Sequence, residues 1–251
     1  MEQFSLSIVL PVGNLASSLA AAVAECQTVA ARHTSDYEII IADDASTDGT
    51  GELADRLADI HPAVAVIHYP RRRGYRQVLY DTWGVARGTY VVALALAGPA
   101  AATDISRLLP SAPAHAAIFG YRVSPPRHPA ERLFITAVSA RAPGMCDPAM
   151  GLGLFRADMR DLLTPNGPDA LTHADLYAAA RRHDLSRTQI AVPGKATRTA
   201  PPSLRDILAA MAERNAATSP LTRAQQNVTR GAGILIAAAG IWLLRRLGRH
   251  P

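Results

Sequence analysis

The chain has 251 residues, 49% of them hydrophobic and 5% aromatic, with a formal net charge of +5 and a pI near 9.6. That length and apolar fraction suit one sizeable α/β core with room for a tail and exclude disorder except at the ends. The positive balance rests on arginine, since Lys195 is the only lysine, and it fits a phosphate-bearing partner or an anionic membrane surface as readily as plain compositional bias. Cys26 and Cys146 make no C-x-x-C pattern, so neither a disulfide nor zinc is indicated and a reducing cytosol is expected. With a strand beginning almost at once, no leader peptide is expected.

In chain order, Leu6 to Pro11 reads as a short apolar strand, Val12-Gly13-Asn14 as a turn and Leu15 to Arg32 as a helix. The stretch from Tyr37 to Thr50, YEIIIADDASTDGT, drives an apolar run, Ile39 to Ala42, into carboxylates, hydroxyls and one glycine. A run apolar on both faces predicts a strand inside a parallel sheet. The carboxyl ends of such strands are where open α/β sheets bind ligands, which places Asp43 and Asp44 at a site. Ordinary turn and capping chemistry explains the same residues equally well, and Thr50 is expected to cap a helix running from near Gly51 through Leu57. Ala63 to His68 is a third strand, so the alternation is βαβαβ, the pattern of a doubly wound sheet.

Arg71, Arg72, Arg73 and Arg76 then crowd the start of a helix that ends near Ala86-Arg87-Gly88. They read either as a diphosphate cradle of backbone N–H groups and guanidinium forks or as a solvated basic turn. Tyr90 to Leu96 is a fourth strand, followed by Ala97-Gly98-Pro99, and Asp104 opens a helix to Leu109. Ala116 to Tyr121 is a strand, Leu171 to His183 a helix, and Arg187 to Val192 an edge strand ended by Pro193. Beyond it, Leu204, Ile207, Leu208 and Met211 line one face of an amphipathic helix. The uncharged run from Gly231 to Leu244 is bracketed by Arg230, Arg245, Arg246 and Arg249. It falls short of the roughly 20 residues that span a bilayer, so a core helix stays open beside the membrane contact that Trp242 and the flanking arginines favour.

Asp43, Asp44, Ser46, Asp48, Gly49 and Thr50 match a DDxSxDGT pattern position for position. In this the chain resembles the nucleotide-sugar-binding core of family 2 glycosyltransferases, whose GT-A fold is an α/β, mostly parallel, doubly wound sheet. The resemblance implies a nucleoside-diphosphate-sugar donor held by Pro11, Asn14, Asp43, Asp44, Ser46, Arg73, Gly74 and Arg76. It breaks at Gly13 and Leu15, where an aromatic and a glutamate are usual, at Arg73, which replaces an asparagine, and at the end of the fourth strand. There the family carries D-x-D, whose aspartates hold a divalent ion, and this chain carries Ala95-Leu96-Ala97. No metal cofactor is therefore expected.

Gly120-Tyr121-Arg122 looks like the G-S-R element of polyprenyl- and dolichol-phosphate sugar synthases, which implies that Arg122 and Arg132 bind a lipid-phosphate acceptor. Asp147 to Leu152 is similar to that group's D-x-x-S-G-F element, making Asp147 an acceptor-side carboxylate or a turn residue. Arg198 and Ser203 match its closing loop, with Pro201 in place of a glycine. The expected organisation is a GT-A-like domain over 1–200, an amphipathic juxtamembrane helix over 201–226 and a hydrophobic helix with a basic tail over 227–251. The expected activity is sugar transfer from a nucleoside-diphosphate sugar to a polyprenyl phosphate or other membrane-associated acceptor at the cytoplasmic face of a membrane. The alternative is a catalytically silent relative that binds nucleotide sugar and serves a partner protein. No nucleic-acid partner is expected, and the missing G-x-G-x-x-G after the first strand disfavours a dinucleotide-dependent oxidoreductase.

Overall fold

The computed structural model describes residues 4–124, 129–139, 142–163 and 172–194. Seven strands, β1 (Leu6–Val12), β2 (Tyr37–Asp43), β3 (Val64–His68), β4 (Tyr90–Leu94), β5 (Ala117–Arg122), β6 (Leu152–Arg156) and β7 (Arg187–Val192), form one sheet in the order β3-β2-β1-β4-β6-β5-β7. All run parallel except β6, which is antiparallel to both β4 and β5. The doubly wound sheet expected from the alternation is present, and Arg187–Val192 is the edge strand. β6 and the helix at Pro129–Ser139 carried no prediction.

The helices are α1 (Ala16–His33), α2 (Thr50–Ile60), α3 (Tyr75–Val85), α4 (Ile105–Leu108), α5 (Pro129–Ser139), α6 (Arg160–Leu163) and α7 (His173–Arg182). Strand periodicity sorts them into layers. Leu6, Ile8, Leu10 and Val12 of β1, with Ile39 and Ile41 of β2, share a buried cluster with Leu19 and Val23 of α1, Ala54 of α2 and Ile105 of α4. The intervening residues face the other layer, where Trp83 of α3, Phe119, Phe155, His173 and Tyr177 interlock ring against ring. Burial pushes the pKa of His173 down to about 4, so it is a neutral core residue at physiological pH. Gly153 gives the Phe155 ring its room, since a Cβ there would lie 2.4 Å from Phe155 Cζ.

The described chain divides into two units, one built from 1–125 and 144–199 and the other from 126–143 and 200–251. The sheet and every residue of the site below belong to the first. Among the described residues no helix is long and apolar enough to cross a membrane. The expected helices over 201–226 and 227–251 lie outside the described residues.

Several boundaries differ from expectation for local reasons. Gly49, in the left-handed region at φ 85°, takes the N-cap position of α2, and Thr50 is already helical. The Thr50 hydroxyl is occupied instead with Leu15 N and Asp48. β4 ends at Leu94 rather than Leu96 because Ala95 turns, its carbonyl accepting from Gly98 N at 2.8 Å.

At the amino edge of the sheet, Ser7 donates to Glu38 at 2.6 Å, Gly88 N donates to Ser7 Oγ at 2.8 Å, and Arg87 donates to Glu38 through its backbone N and Nε at 2.7 and 3.0 Å. Burial opposes ionisation of Glu38, but these hydrogen bonds outweigh it and hold its pKa below the ordinary value. The approach is so close that a Cβ on Gly88 would lie 2.5 Å from Ser7 N and 2.8 Å from Leu6 C, both backbone atoms that cannot step aside. Gly88→Ala is therefore expected to destabilise the fold by about 3 kcal/mol, read as a lowered urea midpoint; an unchanged midpoint would contradict this packing.

Candidate functional site

The parallel strands end along one edge, and the loops that leave it gather most of the residues singled out above. α1 starts without a side-chain cap of its own, and Leu15 precedes it. Its start is served from Asp48 and Thr50 instead: Leu15 N donates to Thr50 Oγ1 at 2.8 Å and Ala16 N to Asp48 Oδ2 at 3.1 Å, while Ser18 N donates to Leu15 O at 3.0 Å. Asn14 completes the brace, its N donating to Ser46 Oγ at 2.9 Å and its Oδ1 accepting from Thr47 N at 2.8 Å. Asp48 is held below its ordinary pKa, first by the Thr50 hydroxyl and further by backbone N–H groups, and its negative charge sits at the positive end of α1. Asn14 and Ala45 both adopt positive φ, 56° and 52°. Asparagine tolerates that region; alanine does not favour it, and its cost of about 1 kcal/mol is carried by the cross-linked loop.

Asp43 and Asp44 have different surroundings. Asp43 is buried, its Oδ1 accepting from Ser46 N at 3.2 Å and its Oδ2 facing His68 Nδ1 at 3.3 Å. His68 Nε2 lies 2.8 Å from Asp55 Oδ1 on α2. The hydrogen bond to Asp55 raises the His68 pKa; partial burial opposes this, and Asp43 adds to the rise. Asp44 is half-buried, and its carboxylate accepts from Arg73 N at 2.6 Å and Gly74 N at 3.0 Å.

That last contact redraws the arginine turn. The N–H groups of Arg73 and Gly74, expected to cradle a diphosphate, are already engaged by a carboxylate. Gly74 holds φ 82° and ψ 155°, a conformation open essentially to glycine alone. The Arg73 guanidinium runs along α3, 3.7 Å from Asp81 and over the Tyr69 ring at 5.8 Å. Arg71 and Arg72 are exposed and Arg76 is half-buried. Pro11 is buried within β1 opposite Ala42.

Arg122 at the end of β5 and Asp147 in the loop before β6 come together directly. Arg122 Nε donates to Asp147 Oδ2 at 2.6 Å and Nη2 to Oδ1 at 3.1 Å, with side chains only 10% and 7% exposed. The same carboxylate accepts from Ala149 N at 3.2 Å, so Asp147 does turn work and ion pairing at once. The loop is held from β7 as well, where Gln189 accepts from Cys146 N at 2.6 Å and donates to Gly144 O at 2.8 Å. Arg132 lies on α5 in the other unit, and Arg198 lies outside the described residues.

The residues that follow β4 do not fit a divalent ion. Ala95 is pinned by its N–H to Gly151 O at 2.8 Å, and a Cβ on Gly151 would lie 2.8 Å from the Ala95 Cβ. Asp104, the next carboxylate along, is buried and accepts from Ala101 N at 2.9 Å. Among the described residues no group of three histidine, cysteine or acidic side chains could hold a metal ion.

Sequence reasoning missed His68, whose partnership with Asp43 follows from the parallel register that sets the two side by side. It also missed Gln189, which no local pattern marks.

Residues 7–94 match the model of the family described as glycosyl transferase family 2. No curated protein matches the chain in sequence. Among solved structures, it is similar to glucosyl-3-phosphoglycerate synthase from Mycobacterium tuberculosis in complex with phosphoglyceric acid, with a TM-score of 0.63 and 17% identity over 84% of this chain and 80% of that one. It is also similar to the mannosyltransferase PcManGT from Pyrobaculum calidifontis in complex with GDP-Man and Mn²⁺, with a TM-score of 0.58 and 17% identity over 100% and 82%. Mannosyl-3-phosphoglycerate synthase from Rubrobacter xylanophilus gives 0.56 and 16% over 98% and 76%. The chain thus has the fold of these glycosyltransferases.

Asp147→Ala is expected to destabilise the protein by about 3 kcal/mol, because it removes the carboxylate that takes two hydrogen bonds from a buried guanidinium. Exchanging both partners for apolar residues, Arg122→Met with Asp147→Leu, should recover most of that loss. Chemical denaturation of the three variants checks both statements, and a neutral Asp147→Ala would contradict the buried pair.

Proposed function

We propose that the protein transfers a sugar from a nucleoside-diphosphate sugar to an acceptor that already carries a phosphate, such as a polyprenyl phosphate. The observation that carries the reading is the bond from the Asp44 carboxylate to Arg73 N and Gly74 N. It ties an arginine-rich turn to the end of β2, within a stretch that matches a family 2 model. The fold is one whose solved examples include a complex with UDP-glucose and one with GDP-mannose.

The reaction would join an acceptor phosphate oxygen to the anomeric carbon while the bond to the donor diphosphate breaks and the nucleoside diphosphate leaves with the electron pair. A phosphate acceptor is already an anion, so no strong base is needed, and the chain's task is positioning and neutralising the departing charge. In this reading the ends of β1 and β2 hold the nucleoside. The charge falls to Arg71, Arg72 and Arg76, with Arg198 supplied from the segment after β7. Arg122 is committed to Asp147, so it acts on the acceptor through that paired carboxylate or by exchanging partners. The relatives with phosphoglycerate in their names suggest a soluble phosphate acceptor as the other source of the same chemistry.

A second reading, a catalytically silent binding subunit, is favoured by Ala95 and Ala97 after β4. Calorimetry with UDP, GDP and their sugars separates the cases together with a transfer assay offering polyprenyl phosphate and phosphoglycerate in parallel. Binding is expected to be unchanged between chelator and Mn²⁺, and Asp44→Ala should weaken it by about 1–3 kcal/mol. No binding of any probe would overturn the reading. Binding without transfer would establish the silent subunit, and turnover abolished by chelator and restored by Mn²⁺ would overturn metal independence.

We further propose that the apolar run at 231–244 holds the chain at the cytoplasmic face of a membrane. The full chain should then sediment with membranes while a form ending at Thr229 stays in the supernatant; a full chain that stays soluble at moderate salt would refute this.

A further inference from the structure

We infer that His68 is the positioning residue for the Asp43 carboxylate, held in turn by Asp55, so that nucleoside recognition depends on a three-residue relay from β2 through β3 to α2. The inference rests on the reading that the end of β2 meets the donor nucleoside.

The geometry begins with the register. In the parallel pairing of β2 with β3, Asp43 and His68 are direct partners, and Tyr69 N donates to Asp43 O at 2.9 Å, fixing the backbone on both sides. Asp43 is buried and, among the described residues, its carboxylate meets two donors, Ser46 N on Oδ1 and His68 Nδ1 on Oδ2. A buried carboxylate left short of donors is penalised heavily. The imidazole is therefore what fixes the second oxygen and, with it, the plane the carboxylate presents.

The imidazole is itself fixed from its far side. Asp55 accepts or faces Nε2 at 2.8 Å, and the charged groups facing the ring are Asp43 from β2 and Asp55 from α2. α2 reaches this position because Gly51, one turn before Asp55, leaves space: a Cβ there would stand 3.0 Å from Asp43 Oδ2 and 3.5 Å from His68 Cε1. Protonated, the ring donates to both carboxylates. Neutral, it has one N–H, and which carboxylate receives it depends on the tautomer. The protonated ring, which the raised pKa favours, donates to Asp43, as a positioning residue requires.

Amide substitutions dissect the relay. Asparagine places an amide nitrogen where Nδ1 stands and keeps the donor to Asp43; glutamine places it where Nε2 stands and keeps only the side facing Asp55. With UDP and GDP as the calorimetric probes, His68→Gln is expected to weaken binding about tenfold, and His68→Asn to recover it to within about threefold, at similar melting temperatures. Equal affinities for wild type and both variants would overturn the inference, as would equal losses that track a fall in melting temperature. The relay is also read without any nucleotide, by NMR titration of the His68 ring. Asp43→Asn should bring its pKa down toward the ordinary value, and an unmoved titration would overturn the pairing itself. Wild-type protein that binds neither probe, yet shows this coupling, would refute the donor reading and leave the relay as architecture only, which overturns its assignment to recognition.

Discussion

Leu15 N and Ala16 N, at the start of α1, find their acceptors outside the helix, and the site depends on where they go. They go to side chains from the neighbouring β2–α2 connection, Thr50 and Asp48, while Asn14 N donates to Ser46 and Asn14 Oδ1 accepts from Thr47 N. Two loops that would otherwise leave the sheet independently become one rigid unit. Helix starts need partners for their N–H groups, and Leu15 offers no side-chain acceptor, so oxygens from the neighbouring connection serve the start of α1. The strain at Ala45 and the left-handed turn at Gly49 are then consequences of bending the loop back far enough to reach.

The same logic explains why the acidic pair is asymmetric. Asp43 still belongs to β2, pairs with His68 across the sheet and is buried; Asp44 is one residue beyond the strand and turns to the arginine loop. The two adjacent aspartates therefore have different partners: one is fixed to β3 through His68 and the other anchors the arginine-bearing turn.

How much of this was legible in the sequence follows from the range of each interaction. The apolar run over 39–42, the βαβ alternation and the edge strand over 187–192 are local patterns, and all appear in the structure. β6 was not legible because LGLFR, with a glycine inside it, lacks the β-branched residues and the alternation that mark the other strands: it depends on Gly153 making room for a ring contributed two residues later. Asn14, Asp43, Asp44 and Ser46 do meet at the ends of β1 and β2, but their partners are not legible locally. A basic helix start predicts phosphate binding by the N–H groups of Arg73 and Gly74, and nothing local reveals that a carboxylate 29 residues before Arg73 fills them. Arg122 and Asp147 were each legible as charged residues at strand ends, whereas their pairing requires the antiparallel return of β6.

These occupied groups define the electrostatics of any anionic ligand at this edge. Asp43 and Asp147 are buried, and Asp44 is half-buried; each is already matched, by a histidine, by a guanidinium and by two backbone N–H groups respectively. Matched carboxylates repel an incoming diphosphate far less than bare ones, which matters most past the end of β4, where Ala95 and Ala97 supply no carboxylate through which a cation could be recruited. This edge carries its negative charge internally matched, with Arg71 and Arg72 exposed on the neighbouring turn. The alanines at 95 and 97 and the pairing of the remaining carboxylates thus act in the same direction, and under the proposed function both lower the cost of bringing a diphosphate to this edge.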